Sequence, residues 1–244
     1  MHDLRSMLRA MLILSLGSLA TVVTTAQGTK PTGPTVWDGV FTDAQADRAQ
    51  GMFSQNCARC HSLTADGGRP LSGEKFWEGY TQKTVGDLLT FVKTNMPNGQ
   101  GAGSLPAATY NDLVALILKS NGFPAGKTEV TPETVANVQI IPKDGPGELP
   151  TNTLVRVVGC LAPKSGADWT LTNATVPQRI EKTGAVPEDA TRPLGERTAT
   201  LKFVLNRLDG FVGQRMSVTG ILIGAGGVNG INVATVNRVA EACP

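Results

Sequence analysis

Cys57-Ala58-Arg59-Cys60-His61 is the stretch that decides how the first part of this 244-residue chain folds. Two thiols three residues apart, followed at once by an imidazole, form the attachment pattern for a c-type haem. On a helical turn each thiol can bond a vinyl group of one porphyrin edge, and the imidazole is carried under the iron as an axial ligand. Covalent attachment suits an exported protein, because the group is then not lost by dilution. Two rival chemistries use the same residue types. A structural zinc ion takes four ligands, and the only other cysteines, Cys160 and Cys243, stand about a hundred or more residues away. A thioredoxin-type redox pair wants a strand before it and a helix after it, whereas a helical pattern leads into this motif.

Working toward the N-terminus, Arg5 and Arg9 precede an apolar run from Ala10 to Val23 and then Thr24-Thr25-Ala26. A basic head, a short apolar stretch and a small-residue cut site are the parts of a secretory signal peptide. The run falls short of the ~20 residues that span a bilayer. We therefore expect residues 1–26 to be a signal peptide cut after Ala26, the mature chain to be periplasmic or secreted, and no transmembrane anchor to remain after cleavage. An uncleaved anchor is the competing reading. Cleavage also removes His2, leaving His61 as the mature chain's one histidine.

That inventory constrains the sixth ligand. With one histidine, bis-histidine ligation within a monomer is excluded. Of the methionines left after cleavage, Met52 lies on the helix that carries the motif, and Met216 falls in a strand-like segment elsewhere. Met96 remains, 35 residues past His61 and followed by Pro97. A thioether is a soft ligand that favours Fe(II). A lysine ligand or an open site are the alternatives. Around this centre Trp77 is either a donor to a haem propionate or a plain core aromatic. Arg69 and Lys75 are either propionate partners or solvated charges. Pro70 and Leu71 are expected to wall the histidine side, where a backbone carbonyl accepts the imidazole Nδ1–H.

From Thr42 to Phe123 the apolar period is helical. Thr42 with Gln45 reads as a capping box, followed by Ala46, Ala49, Phe53 and Cys57 on one face. Thr84 with Asp87 opens a second helix, and Thr109 with Asp112 a third, which is expected to stop at Asn121-Gly122. Prolines recur through residues 124–152, read as a semi-extended linker. From residue 153 the period turns to strands: LVRVVGCL, WTLTNA, ATLKFVL, QRMSVTGILI and GINVATVNRVA. Five short strands in this space suggest a small OB-like β-barrel over residues 153–244. In an oxidising compartment Cys160 and Cys243 are expected to pair, tying the C-terminus to the first strand; two unrelated buried thiols are the alternative.

Lys+Arg 22 against Asp+Glu 20 leaves the chain too balanced to suggest a nucleic-acid partner. The basic residues of the second half, among them Arg156, Arg192 and Arg215, are interspersed with acids and lack stacking aromatics. GAGGVNG at 224–230 has no helix after it and no Lys-Ser/Thr ending, so a hairpin loop is favoured over a phosphate cradle.

Through NCARCHSLTADGG, GEKFWEGY and TNMPNGQGAGSLPAATYNDLVALILKSNGFPAG, residues from about Ala46 to Gly126 resemble a class I cytochrome c domain. The likeness is nearest to the small cytochrome domain associated with quinoprotein alcohol dehydrogenases. It implies one haem c held by Cys57, Cys60, His61 and Met96. It also implies first and last helices that cross with a glycine near the contact, here Gly51. The second half loosely resembles small extracytoplasmic OB-like domains with a GCL first strand and a cysteine near the end. The expectation is an α + β two-domain protein, an all-α cytochrome c fold at 42–123 followed by the barrel. It is expected to act as a one-electron carrier rather than an enzyme, passing electrons to or from a redox protein partner, a dehydrogenase or a terminal electron acceptor. A haem peroxidase or reductase, or a gas-binding sensor, with a labile Met96 is the alternative.

Overall fold

The computed structural model describes residues 33–98, 101–166, 168–224 and 230–243. The expected signal peptide at 1–26 lies outside them. The first unit is helical: α1 (Asp43–Asn56), α2 (Glu74–Tyr80), α3 (Val85–Asn95), α4 (Ala107–Ser120) and the short α5 (Pro132–Val135). Its centre is the packing of α1 on α4. α1 contributes one apolar face, Ala46, Ala49 and Phe53, while α4 is buried on nearly every side from Leu113 to Leu118. Each fully buried aliphatic side chain there is worth roughly 1.5–3 kcal/mol. Gly51 does not sit at the crossing: it is exposed, and a Cβ built on it meets nothing within 4 Å. The close approach uses Ala46 and Ala49, 0% and 1% exposed.

Helix starts follow local chemistry with two revisions. Thr84 and Asp87 make the full reciprocal cap of α3. At α1, Thr42 Oγ1 accepts from the Gln45 amide N–H at 3.1 Å, but the Gln45 side chain turns inward instead of back to Thr42. It brackets Val130, donating to its carbonyl at 3.1 Å and accepting from its N–H at 2.8 Å. α4 begins at Ala107 behind Pro106, two residues before Thr109. Pro106 fixes its own φ at a helix-compatible value, and Asp112 is engaged elsewhere, by Arg48 at 3.0 Å. α4 stops as expected at Asn121, with Gly122 in the left-handed region at φ +77°.

The proline-rich segment is not a free spacer. Val130, Val135, Val138 and Ile140 are buried in the helical core. The strands β1 (Lys83–Thr84) and β2 (Gln139–Ile140) pair antiparallel, closing the segment over the start of α3. Five prolines masked an apolar set whose spacing fits no single helix or strand, so periodicity could not detect it.

The second unit is a six-stranded sheet: β3 (Leu154–Ser165), β4 (Asp168–Ala174), β5 (Gln178–Arg179), β6 (Arg197–Lys202), β7 (Arg215–Ile223) and β8 (Gly230–Ala240). The order is β4-β6-β8-β7-β3-β5, with an additional β4–β3 pairing. The hydrogen-bonded neighbours therefore form a cycle, β3-β4-β6-β8-β7 and back to β3. All pairs of that cycle are antiparallel except β6–β8. Val157, Leu161, Leu171, Leu201, Met216, Val218 and Ile231 fill its core. Met216 is thus a packed core residue. β6 ends at Lys202, three residues before the expected strand does, because Phe203 takes φ +55° and turns the chain out. Residues 225–229 of the glycine-rich loop lie outside the described residues; its flanks, Ile223 and Gly230, are antiparallel partners.

Cys160 and Cys243 form a disulfide with Cα atoms 5.6 Å apart, tying the C-terminus to β3. On the outer side of β3 and β7 a strap around residues 184–192 is held by Asp189, which is 0% exposed. Asp189 accepts from Ser217 Oγ at 2.7 Å and the Val186 N–H at 3.0 Å, and faces Arg156 at 3.3 Å. Arg215 donates to the carbonyls of Asp189 and Arg192. Three of the basic residues counted in the sequence are thus structural.

The two units meet at the end of α2. Arg179 donates through Nε to the Thr81 carbonyl at 2.8 Å and through Nη2 to the Glu78 carbonyl at 3.2 Å. These are carbonyls that a helix C-terminus leaves without internal partners. Gln82 completes the seam, accepting from the Arg179 N–H at 3.0 Å and donating to the Pro177 carbonyl at 3.2 Å.

Candidate functional site

The motif continues the axis of α1. The Cys57 N–H still bonds the Phe53 carbonyl at 2.8 Å, and the N–H groups of Cys60 and His61 both turn onto the Cys57 carbonyl, at 3.0 and 2.9 Å. One extra turn therefore carries both thiols and the imidazole. Cys57 and Cys60 are free thiols; Cys57 is half-buried and Cys60 exposed. Burial pushes the Cys57 thiol above the ordinary cysteine range.

His61 is oriented by the loop that follows. Its Nδ1 lies 3.0 Å from the Arg69 carbonyl. A carbonyl can only accept, so Nδ1 carries the hydrogen and the Nε2 lone pair is left for a metal. The acceptor is Arg69, one residue before the Pro70–Leu71 stretch where a carbonyl acceptor is expected. Arg69 adopts φ +42°, a left-handed conformation uncommon for a residue with a Cβ. The loop is locked on either side. Leu71 N–H donates to the Ser62 carbonyl at 2.8 Å, and Ser72 Oγ to the Leu63 carbonyl at 2.8 Å. Asn121 reaches across from the end of α4 to the Leu71 carbonyl at 2.9 Å and the Gly73 N–H at 3.1 Å. Gly67 has no alternative, since a Cβ there would lie 2.2 Å from Ser62 Cβ.

Met96 caps α3, its N–H on the Val92 carbonyl at 3.0 Å. Its own carbonyl accepts from Tyr110 Oη at 2.9 Å and from the Gly103 N–H at 3.3 Å. Met52 is half-buried on α1. Trp77 packs edge-on against Phe76 and Phe123, with centroids 5.8 and 5.7 Å apart, and lines the cleft between the two units beside Pro150 and Pro177. Lys75 pairs with Glu78 at 2.7 Å on the surface, and Arg69 is an exposed side chain.

The donor set fits a haem. Two free thiols, an imidazole with one nitrogen committed as a donor, and a thioether occur in the same unit. Apolar side chains at the rim of the helical core, among them Cys57, Leu63, Leu71, Val92 and Leu105, stay half-buried. The zinc reading fails on geometry: among the described residues no group of three His, Cys, Asp or Glu could hold a metal ion, and Cys160 and Cys243 are joined to each other. Sequence reasoning missed Arg69, Asn121, Tyr110 and Gln45 as contributors. Arg69 acts through its own backbone carbonyl, Asn121 and Gln45 through backbone about fifty and eighty-five positions away, and Tyr110 through the Met96 and Leu105 backbone, contacts that no spacing rule signals.

Residues 44–117 match the family model described as cytochrome C oxidase, cbb3-type, subunit III. This is a class I cytochrome c family, and a domain of this kind is an electron-transfer module that carries covalently bound haem c. The match spans under half of the chain and speaks for the helical unit alone. The narrower likeness to quinoprotein-associated cytochromes is not supported by it, and neither is any family for the second unit. No curated protein and no solved structure gives a significant match to the chain. No helix among the described residues is long and apolar enough to cross a membrane.

Proposed function

We propose that the chain is an exported c-type cytochrome that passes single electrons between redox proteins. Cys57 and Cys60 would carry the two thioether links of one haem, with His61 and Met96 as axial ligands. Haem c, when bound, supplies the one-electron couple. The chain's own residues do the rest. Arg69 fixes the imidazole tautomer and plane, Asn121 holds the loop that presents Arg69, and the apolar rim around Leu71 and Leu105 would keep water from the iron. Pro70 stiffens the turn behind the imidazole. The partner would dock at the exposed edge beside Cys60 through a small transient interface. The second unit would form an OB-like barrel that positions the carrier or binds the partner. The closed cycle of pairings, with one parallel pair, supports the barrel. Export after cleavage of residues 1–26 is supported by the disulfide, which persists in oxidising compartments.

The observation that carries this reading is the His61 Nδ1–Arg69 contact on the turn that bears both thiols. The test is the purified protein's absorption spectrum and mass. A c-type spectrum, one haem of added mass, and slow CO binding by the reduced protein are expected. A colourless product with the bare polypeptide mass overturns the proposal. Avid CO binding without substitution would favour the enzyme or sensor alternative.

A further inference from the structure

Tyr110 is among the most deeply buried large side chains of the helical unit, 1% exposed, and its hydroxyl is used in both directions. It donates to the Met96 carbonyl at 2.9 Å and accepts from the Leu105 N–H at 3.2 Å. These two backbone groups stand at opposite ends of the loop that leaves α3 at Met96 and returns to α4 through Pro106. A phenol projecting from the first turns of α4 thus staples both ends of the segment that carries the thioether. The second lone pair of the Met96 carbonyl is taken by the Gly103 N–H at 3.3 Å, within the same loop. No other side-chain hydrogen bond to this carbonyl occurs among the described residues.

We propose that Tyr110 is a positioning residue for the Met96 ligand: its hydroxyl holds the methionine backbone in register so that the thioether stays on the iron. This rests on the assignment of Met96 as ligand. A loop tied at both ends samples few conformations, so the thioether is presented at high effective concentration and rebinds after each dissociation. Tyr110→Phe keeps the ring and its packing but deletes the hydroxyl. The half-buried Leu105 N–H then loses its acceptor and the Met96 carbonyl one donor. Losing one buried hydrogen bond corresponds to roughly a tenfold change in an equilibrium.

The experiment compares three variants of the haem-loaded protein. Tyr110→Phe is expected to raise the CO-accessible fraction of the reduced protein roughly tenfold, to weaken the ferric methionine-to-iron charge-transfer band, and to lower the reduction potential. Met96→Ala is expected to abolish that band outright. Val114→Ala, a buried truncation in the same helix, is expected to lower the melting temperature while leaving band and potential in place. If Met96→Ala leaves the band unchanged, the ligand assignment fails. If Met96→Ala abolishes it but Tyr110→Phe matches the parent protein, or matches Val114→Ala, the positioning role fails while the assignment stands.

Discussion

The helical and β units solve the problem of a small core in opposite ways. The β unit closes its pairings into a cycle, fills the interior with Val157, Leu171, Leu201, Val218 and Ile231, and ties its last residues to β3 through Cys160–Cys243. The helical unit has its two cysteines unjoined. Cys57, Leu63, Leu71, Val92 and Leu105 are among the side chains that stay half-buried at the rim of its core. In one unit the cysteine pair is a structural tie. In the other the pair is unjoined and, under the proposed function, would be the point of attachment for a haem. The difference teaches that a pair of cysteines is either spent inside the fold as a tie or left available on a helical turn.

The largest effect expected from this contrast comes from Cys57→Ala combined with Cys60→Ala. Without covalent attachment the rim leucines face water, each forfeiting a share of the roughly 1.5–3 kcal/mol that full burial provides. Hydrogen exchange resolved by segment should show the 62–73 loop and α3 losing protection while β3, β7 and β8 keep theirs. Equal loss in both units would break the comparison.

Next in size is the disulfide. Cys160→Ser with Cys243→Ser opens an 83-residue separation, and the chain-entropy account puts the cost at about 4–5 kcal/mol. Denaturant unfolding followed at the β unit should register this, while the haem spectrum stays as it was. A spectral change would mean that the Arg179–Gln82 seam transmits strain between the units.

The smallest effect is an alkaline one, and it too separates the units, because both tyrosines of the chain, Tyr80 and Tyr110, lie in the helical one. Burial pushes the Tyr80 phenol up to about 12. An unfolded phenol titrates near 10. Between about pH 10 and 12 the folded chain keeps a proton that the unfolded chain has lost, so stability is whole below this window and falls as pH rises through it. Tyr80→Phe should flatten that decline, measured by unfolding at stepped pH, with the β unit indifferent.

Much of this was legible in the residue order, and the exceptions share a cause. The motif at 57–61, the α3 capping box, the Gly122 stop and the five long strands are local: each depends on neighbours within a turn or on period-two alternation. The segment 124–152 has the composition of a linker, yet its valines and Ile140 join the helical core and Gln45 bonds the Val130 backbone from 85 positions away. The carbonyl that accepts from His61 belongs to Arg69, next to the Pro70–Leu71 stretch rather than in it, because which carbonyl points at an imidazole is set by backbone dihedrals. Gly51 was misplaced because two alanines permit the helix approach that a glycine was expected to serve.

By itself, the order of residues determined the chemistry this chain can perform. Two thiols and an imidazole at that spacing are covalent facts, and no packing changes them. Only the tertiary structure decided which carbonyl orients His61, that a phenol from α4 grips the Met96 backbone, and that the two halves are joined at the end of α2. Those are meetings between residues far apart in the chain. They are selected by the joint free energy of burying a core and satisfying every polar group inside it, which no local window contains.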